Sequence, residues 1–371
     1  MNNSTHTWSL LDCLALAYLP TISAIHCFSI VEQYASFQEA LHNHNKHPFL
    51  TKIGDGNIFW KSISQECYDK ANQQLELCQK ENIDCILYHD DVYPESLRNA
   101  PYPPFLLFCK GNVHSINSQT IVAIVGTRRC TEYGKQATEF FTEELVKYNI
   151  AIASGLANGI DTYAHSYTIK NNGITYAVIA SGIDKISTNT AKYNADKIID
   201  SGGAVFSEYK CGVGALTAYF PQRNRIVSGI SDAVLVIESA IKGGALITAQ
   251  FAFDQNRPLF AVPGNIFYDK NSGTNALIKR NMAAIATHPH DILSELRIPI
   301  QKQVTVAHNL NDNEEKLLKE LSNGPVTIDD LSVTLSIPSS ELLSTLLMME
   351  FKGLIRQLPG KQFMSLSTTF S

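Results

Sequence analysis

The central part of the chain alternates short apolar runs with longer amphipathic segments. The apolar runs are rich in β-branched residues and lie at 121–125, 150–153, 175–180, 204–207, 233–237 and 259–262. The segments between them place apolar residues at helical spacing. Strands that are apolar almost throughout, with helices between them, are typical of a parallel sheet covered on both faces. The pattern therefore predicts an α/β fold with a doubly wound, Rossmann-like parallel sheet.

The first sixty residues also follow a helical pattern, which is interrupted at Pro20 and around residues 42–45. They predict a small helical domain at residues 1–63. A loose connection is expected after it, and residues 84–88 are then predicted to form a strand. The Rossmann-like domain is accordingly placed at residues 64–298.

The end of the chain predicts a different module. Residues 299–312 resemble a linker, and helical patterns follow at 313–321, 327–335 and 339–351, the last with Ser339 as its N-cap. Residues 354–363 then predict a hairpin that turns at Pro359 and Gly360. Three helices followed by a two-stranded hairpin predict a winged-helix domain at residues 313–371.

Composition agrees with a folded, globular chain and adds one informative asymmetry. The 371 residues are 44% hydrophobic and 18% charged, and the formal net charge is −5. Residues 121–290 contain 16 Lys and Arg against 13 Asp and Glu, whereas the remainder contains 14 basic and 22 acidic residues. This basic centre permits anion binding there without establishing it.

The cysteine pattern favours a reduced, cytoplasmic location. The eight cysteines are scattered and include no C-x-x-C pair, so neither a zinc site nor a disulfide framework is predicted. Residues 10–31 are apolar, but Asp12, Pro20 and His26 interrupt them and the first basic residue is Lys46. A signal peptide or a membrane span is therefore not expected.

The loops after the first two predicted strands of this sheet carry candidate anion-binding residues. Gly126, Thr127 and Arg128 follow one strand, and Ser154 and Gly155 follow the next. Small residues let the backbone approach a phosphate, and free amides at helix N-termini donate hydrogen bonds to it. Taken singly, each loop is better explained by a tight turn, with Arg128 as a solvated surface charge. Together with a third loop after the next strand, at Ser181 to Asp184, they converge on one sheet edge, which favours an anion site.

Two later segments extend this candidate site. The first contains Phe220, whose ring could stack on an unpaired base, and three polar residues for the backbone: Arg223, Asn224 and Arg225. The alternative is a phenylalanine in the core with arginines on a solvated face. The second is a glycine-rich loop that leads into a helix and contains Lys242, Gly243 and Gly244.

Common enzyme motifs are missing from these loops. The sequence contains neither G-x-x-x-x-G-K-[ST] nor a G-x-G-x-x-G after the strand at 121–125. Asp161 and His165 are spaced for a proton-transfer pair, but a carboxylate that supports its loop above a buried histidine is the better interpretation. Asp184 and Glu208 are expected to order loops in the same way. We predict no catalytic residue, no metal and no cofactor.

Seven ordered motifs together resemble the DprA/Smf (DNA-processing protein A) family. They are IVGTR at 124–128, SGLANGID at 154–161, FPQRNRI at 220–226, SDAVLVIE at 231–238, GALITA at 244–249, AVPG at 261–264 and GTN at 273–275. The resemblance spans roughly residues 84–296. The end module is similar to the winged helix of many members, and residues 1–63 are similar to their helical N-terminal domain, of the SAM or helix-hairpin-helix kind.

This resemblance implies a role in natural transformation. Family members bind and shield incoming single-stranded DNA, help to load the RecA recombinase, and form homodimers through the Rossmann-like domain. The resemblance also implies that seven residues line the DNA pocket: Gly126, Thr127, Arg128, Phe220, Arg223, Asn224 and Arg225.

Three positions depart from the family pattern. Asn158 stands where arginine or another residue is common in the family, and the Tyr-Pro expected after Asp184 is replaced by the segment 185–190. Residues 20–23 also lack the glycines of a phosphate-gripping hairpin, so we expect the N-terminal domain to be structural or to bind protein.

Two other functions stay open. A phosphoribohydrolase-like, nucleotide-cleaving enzyme on a related fold would need Pro-Gly-Gly-x-Gly-Thr and a nearby Glu, whereas residues 242–250 lack both the leading Pro and the Glu. The winged helix could instead read duplex DNA, but residues 339–351 contain two Glu and no Arg or Lys, which favours contact with protein.

Overall fold

The computed structural model describes residues 8–54, 57–300, 311–322, 324–352, 354–358 and 360–365. The chain divides into two compact units, Met1–Ile300 and Gln301–Ser371. Each unit has its own sheet and its own hydrophobic core.

The described part of the first unit contains a nine-stranded sheet. Its strands are β1 (Asp84–Leu87), β2 (Leu106–Gly111), β3 (Ile121–Val125), β4 (Ala151–Ser154), β5 (Thr175–Val178), β6 (Ala204–Ser207), β7 (Ala233–Val236), β8 (Leu259–Ala261) and β9 (Ala284–Ile285). Their spatial order is β1-β2-β6-β5-β4-β3-β7-β8-β9. Neighbours from β6 to β9 are parallel, whereas β2 is antiparallel to both β1 and β6.

Helices precede the sheet and connect its strands. They are α1 (Leu10–Leu16), α2 (Ala24–Gln33), α3 (Phe37–His42), α4 (Leu50–Ile53), α5 (Asn57–Glu81), α6 (Glu95–Arg98), α7 (Glu132–Lys147), α8 (Ile160–Lys170), α9 (Asn189–Asp200), α10 (Tyr219–Gly229), α11 (Ala245–Asp254), α12 (Asp269–Lys279) and α13 (Pro289–Glu295). Every residue of β3 to β7 is buried. Burial on both faces explains why these strands are apolar throughout.

The winding of the chain places a switch point beside β3. The chain passes from β3 through β4 and β5 to β6 in one direction, and then returns to place β7 on the other side of β3. Loops leave this point on opposite sides of the sheet, and the crevice between them is where open α/β sheets bind ligands. The predicted doubly wound parallel sheet is confirmed.

Two strands of the nine-stranded sheet were not predicted. β2 follows a proline-rich turn and ends in Lys110 and Gly111, so its composition is not that of a β-branched strand. β9 has two residues, Ala284 and Ile285, which is too short to form a pattern.

The expected loose connection after residue 63 is wrong, because α5 continues to Glu81 and crosses the predicted domain boundary. Its buried side chains recur every three or four residues, at Trp60, Ile63, Cys67, Ala71, Gln74 and Cys78. The stripe includes small and polar residues, so its helical signal is weak. These apolar side chains belong to one hydrophobic cluster with Leu14 of α1 and with Phe108 and Val205 of the sheet. The N-terminal helices and the sheet therefore share a core.

The second unit has the predicted winged-helix arrangement. Its helices are α14 (Asp312–Leu321), α15 (Ile328–Leu335) and α16 (Ser339–Phe351), and its strands are β10 (Val326–Thr327), β11 (Ile355–Leu358) and β12 (Gln362–Ser365). The strand order is β10-β12-β11. Pro338, not Ser339, is the N-cap of α16. Most of the predicted linker and the predicted turn residue Pro359 lie outside the described residues.

Within the described ranges, no single helix is long and apolar enough to cross a membrane. One pair of helices is long and apolar enough when the two are taken together, Ile328–Leu335 and Ser339–Glu350. These two helices are bent by 112° relative to each other. Leu331, Leu342 and Leu346 of this pair are buried in the core of the winged helix.

Candidate nucleic-acid interface

A groove of about 520 Å³ opens at the carboxyl ends of β3, β4 and β7. It is lined by the loops after these three strands and by the first turns of α10 and α11. Nine of the predicted site residues line it: Gly126, Thr127, Arg128, Gly155, Phe220, Arg223, Asn224, Gly243 and Gly244. The structure therefore brings together loops that are separate in sequence, as the strand order requires.

The loop after β3 is held by a buried carboxylate. Glu238, 1% exposed, accepts hydrogen bonds from the Thr131 amide at 2.8 Å and from the Thr131 hydroxyl at 2.7 Å. The Thr127 amide donates to the Glu238 carbonyl at 2.8 Å. Arg128 stands between these anchor points and its side chain is exposed. The backbone of the loop is thus fixed while its arginine faces solvent.

The loops after β3 and β4 approach each other closely through glycine. Gly159 has φ +86°, and a Cβ atom there would collide with the Thr127 carbonyl. The Ile160 amide, which begins α8, donates to that carbonyl at 3.3 Å. Only glycine meets both the backbone conformation and the spacing without strain.

Asp161 organises the loop after β4, as the sequence predicted. Its carboxylate accepts hydrogen bonds from the Gly155 amide at 3.1 Å and from the Ala157 amide at 3.4 Å. Burial raises its pKa, and the nearby Arg223 opposes that change. His165 lies beneath it, 1% exposed, with Nδ1 2.7 Å from the Thr175 hydroxyl. Burial lowers the pKa of His165 to about 3, so this histidine is neutral at physiological pH.

Leu156, in the same loop, has an unusual backbone conformation. Its φ is +56°, in the left-handed region that glycine or asparagine normally occupies. Such a conformation costs about 1–3 kcal/mol and tends to occur at functional sites. Its side chain is 7% exposed, so the turn directs a large apolar group toward the interior.

Arg223 forms the floor of the groove and does not project from it. It is 4% exposed, and its Nη1 donates to the carbonyls of Gly155 and Val178. A Cβ atom at Gly155 would lie 2.6 Å from the Arg223 guanidinium, so glycine there makes room for it. Burial lowers its pKa to about 10, and Asp161 opposes that change. Arg223 was predicted to line the DNA pocket, and in the structure it lines the groove while its Nη1 is hydrogen bonded to these two carbonyls.

Arg225 also forms an internal contact. It forms an ion pair with Glu208, and the side chains of both residues are at least four-fifths buried. Burial raises the pKa of Glu208, and Arg225 opposes that change. Arg225 does not line the groove, although it was predicted to. The arginine is neutralised by a carboxylate at the end of β6, which sequence spacing could not reveal.

Two further predicted residues lie away from the groove surface. Ser154 is fully buried and its hydroxyl donates to the Ile124 carbonyl at 2.6 Å, so it joins β4 to β3. Lys242 is exposed but does not line the groove, whereas its neighbours Gly243 and Gly244 do.

Exposed Arg128 and partly buried Phe220 lie next to each other in the groove. The Arg128 guanidinium carbon is 5.3 Å from the centre of the Phe220 ring, within the range of a cation–π contact. Asn224, one turn along α10, accepts a hydrogen bond from Arg223 Nε at 3.1 Å and also lines the groove. An aromatic face, a guanidinium and an amide are therefore adjacent.

The amino end of α11 forms the opposite wall. α11 begins after Gly244 without a side-chain cap, so the positive end of the helix dipole faces the groove. Thr217 and Thr248 also line the groove but were not predicted. Thr248 belongs to a motif of the resembled family, which is the signal that could have identified it.

The electrostatics of the groove suit an anion. Among the described residues that line it, the charged ones are Arg128, Arg223 and Asp161, and Asp161 is bonded to backbone amides. No group of His, Cys, Asp and Glu in the described chain is arranged to hold a metal ion. Exposed cation, aromatic ring and helix N-terminus together can bind a phosphodiester with an adjacent base.

Two family profiles match the chain. The profile described as DNA recombination-mediator protein A matches residues 84–297, and that of the DprA winged helix domain matches residues 301–361. The first match covers the whole described sheet and every residue of the groove.

Individual relatives agree with these profiles. The chain is 32% identical to protein Smf of Escherichia coli, over 79% of this chain and 81% of that protein. It is 36% identical to the DNA processing protein DprA of Bacillus subtilis, over 64% of this chain and 79% of that protein.

Solved structures of the family have the same fold. DNA processing protein A of Streptococcus pneumoniae matches with a TM-score of 0.63 and 30% identity, over 77% of this chain and 98% of that one. The protein of Helicobacter pylori, whose structure is described as showing a single-stranded DNA binding mode, matches with a TM-score of 0.52 and 27% identity, over 58% of this chain and 95% of that one. The chain belongs to the DprA family of DNA recombination-mediator proteins.

Proposed function

We propose that the groove binds single-stranded DNA, and that the chain protects incoming DNA in natural transformation and helps to load RecA. The observation that carries the proposal is the contact between exposed Arg128 and partly buried Phe220 in the lining of the groove. A guanidinium binds phosphate, and an aromatic face stacks on an unpaired base whatever its identity.

The surroundings of this pair support the same ligand. The start of α11 contributes the positive end of its helix dipole, and Asn224 contributes a side-chain amide. The floor is rigid, because Arg223 and Asp161 are hydrogen bonded to backbone beneath it. A rigid, partly apolar groove with one exposed cation fits a single strand better than a duplex, whose bases are already stacked.

The comparison with Helicobacter pylori supports the ligand assignment. That protein shares the fold and 27% of its sequence with this chain, and its structure is described as binding single-stranded DNA. The family description as a recombination mediator supports the RecA step. A cytoplasmic location follows from such a role and accords with the reduced state expected of the cysteines.

We propose no catalytic activity for the groove. Asp161 is the only acidic residue among the described residues that line it, and its carboxylate accepts two amide hydrogen bonds. A phosphoribohydrolase would need a carboxylate free to act on the glycosidic bond. Release of free base from nucleoside monophosphates by the purified protein would overturn this part of the proposal.

We propose that the winged helix binds protein and not duplex DNA. α16 contains Glu341 and Glu350, and three of its apolar residues are exposed: Leu343, Leu347 and Met348. An acidic, apolar helix is poorly matched to the phosphates that flank a major groove. Binding of duplex DNA by residues 301–371 alone would contradict this interpretation.

Replacing Arg128 tests the main contact. Arg128→Ala should weaken binding of an oligothymidine by about tenfold or more, because a charged hydrogen bond contributes about 1.5–3 kcal/mol. The slope of log affinity against log salt concentration should also become shallower by about one, which corresponds to the loss of one phosphate contact. Fluorescence anisotropy between 50 and 300 mM salt measures both quantities. Arg129→Ala is the matched control, because Arg129 is exposed in the same loop but outside the groove; equal effects of the two substitutions would refute the assignment.

Gly244 allows the charge of the groove to be changed without a steric effect on the fold. A Cβ atom there meets no atom within 4 Å, and φ is −61°. Gly244→Asp should weaken DNA binding about fivefold more than the isosteric Gly244→Asn, because a like charge near a phosphate costs roughly 1 kcal/mol. Both variants should unfold at nearly the wild-type temperature. Equal DNA affinities for the two variants would mean that phosphate does not pass α11.

The RecA and homodimer steps require separate measurements. If the protein loads RecA, it should speed RecA filament growth on DNA coated with single-strand-binding protein, and Arg128→Ala should lose most of this effect. Light scattering of the free protein should give twice the mass of one chain if the homodimer forms through the Rossmann-like domain. If the free protein is a monomer and still loads RecA, the proposed homodimer is refuted.

A further inference from the structure

A cavity of about 410 Å³ lies in the N-terminal part of the chain, between α3 and α5. We call it the N-terminal cavity. Four residues that share one face of α5 line it: Lys61, Ser64, Gln65 and Tyr68. Its volume is in the range of cavities that bind small molecules, about 300–1,000 Å³. None of its lining residues lines the DNA groove, so it is a separate site.

The wall of the N-terminal cavity includes a tryptophan whose N–H group is unpaired. Trp60 lines the cavity and is 4% exposed, and its Nε1 has no hydrogen-bond partner among the described residues. By contrast, Nε1 of Trp8 donates to the Tyr34 carbonyl at 2.7 Å. Buried polar groups in folded proteins nearly always have a partner. An unpaired donor beside a cavity therefore points to a ligand that supplies an acceptor atom.

The charged and titratable side chains that line the N-terminal cavity are basic, apart from the Tyr68 phenol. Lys61 and His42 are exposed, and within the described ranges neither side chain forms an ion pair or a hydrogen bond. No acidic residue of the described chain lines the cavity. Its lining is therefore suited to an anion and not to a cation.

The third basic residue, His44, holds the ring of Trp60 in place. The two rings are stacked, with centroids 4.9 Å apart. His44 Nδ1 donates to the Leu41 carbonyl at 2.8 Å, because a carbonyl oxygen can only accept. This bond ties the turn after α3 to the end of that helix. The tryptophan is thus fixed by a neighbour that also lines the cavity.

Two carboxylates hold the α5 wall from outside the cavity. Asp12 of α1 accepts hydrogen bonds from the Tyr68 hydroxyl at 2.6 Å and from the Ser9 hydroxyl at 2.8 Å. Asp69 accepts from Gln65 Nε2 at 2.9 Å. These bonds fix the polar side chains of the wall, whereas Lys61 stays available to a ligand.

We propose that the N-terminal cavity binds a phosphate monoester. Lys61 and His42 contact the phosphate, and the indole N–H of Trp60 donates to one of its oxygens. A phosphate monoester carries a charge of about −1.5 to −2 and has three strong acceptor oxygens. A carboxylate has one charge and two oxygens, so it matches this number of donors less well.

The proposal does not rest on the proposed binding of single-stranded DNA in the groove. It assigns a ligand to a domain that the sequence predicts to be structural or to bind protein. Two sources share the chemistry of a phosphate monoester: a free mononucleotide and the 5′-phosphate at the end of a DNA strand.

The indole N–H signals of the whole protein test the proposal at the site itself. The chain has two tryptophans, so its nitrogen–proton correlation spectrum contains two such signals, and Trp8→Phe shows which of them belongs to Trp60. Thymidine monophosphate should shift the Trp60 signal and leave the Trp8 signal in place. Thymidine, which lacks the phosphate, should shift neither at the same concentration.

Replacing Lys61 tests the phosphate contact. Lys61→Gln should weaken the affinity for thymidine monophosphate, measured from the same shift, about tenfold, because a charged hydrogen bond is lost. Lys80→Gln is the matched control, because Lys80 is exposed on the same helix and does not line the cavity. It removes the same charge and should leave the affinity within about twofold. Both variants should unfold at nearly the wild-type temperature.

Oligothymidines with and without a 5′-phosphate distinguish the two sources. If the phosphorylated strand shifts the Trp60 signal and the unphosphorylated one does not, the cavity holds a strand end. If thymidine monophosphate shifts the signal and neither strand does, the cavity holds free nucleotides. Both results support a site for a phosphate monoester.

Three results would overturn the proposal. The Trp60 signal would respond neither to thymidine monophosphate nor to the phosphorylated strand, thymidine would shift it as much as the monophosphate does, or Lys61→Gln and Lys80→Gln would have equal effects. Failure of the unphosphorylated oligothymidine to bind the protein would instead refute the groove and leave the N-terminal cavity unaffected.

Discussion

The buried guanidinium of Arg223 is the contact on which the rest of the site depends. Removing such a charge from water costs several kcal/mol unless hydrogen bonds and an opposite charge compensate. Here the carbonyls of Gly155 and Val178 accept its hydrogen bonds and Asp161 supplies the negative charge. These contacts join the ends of β4 and β5 to α10. Because Phe220 lies on the same helix, the position of its partly buried aromatic ring follows from this buried arginine.

A segment rich in arginine therefore contributes little exposed positive charge. Arg225 pairs with Glu208, Arg223 binds backbone, and Arg128, from another loop, is the exposed cation. This distribution is compatible with the anion site that we propose on a chain of net charge −5. In the proposed site, one cation, a helix N-terminus and an aromatic face held in fixed geometry contact the strand.

The sheet could be predicted because its strands are buried on both faces and are therefore apolar throughout. Parallel connectivity then placed the loops containing Gly126, Gly155 and Gly243 at one edge. The internal contacts of Arg223 and Arg225 could not be predicted from the sequence. Arg223 binds the Gly155 carbonyl, 68 residues away, and Arg225 binds Glu208, 17 residues away, and only tertiary packing brings these partners together. The continuation of helix α5 beyond residue 63 was missed for a related reason. Its buried face contains cysteine, alanine and glutamine, which belong to the core only because neighbouring elements pack against them.

In the proposed complex, a single strand passes over the carboxyl ends of β3 and β4 beside Phe220. Photo-cross-linking of an oligonucleotide containing bromodeoxyuridine, followed by mass spectrometry of the peptides, tests it directly on the whole protein. The main cross-links should lie in the peptides containing Phe220 or Arg128. Cross-links confined to residues 8–54 or 311–365 would contradict it.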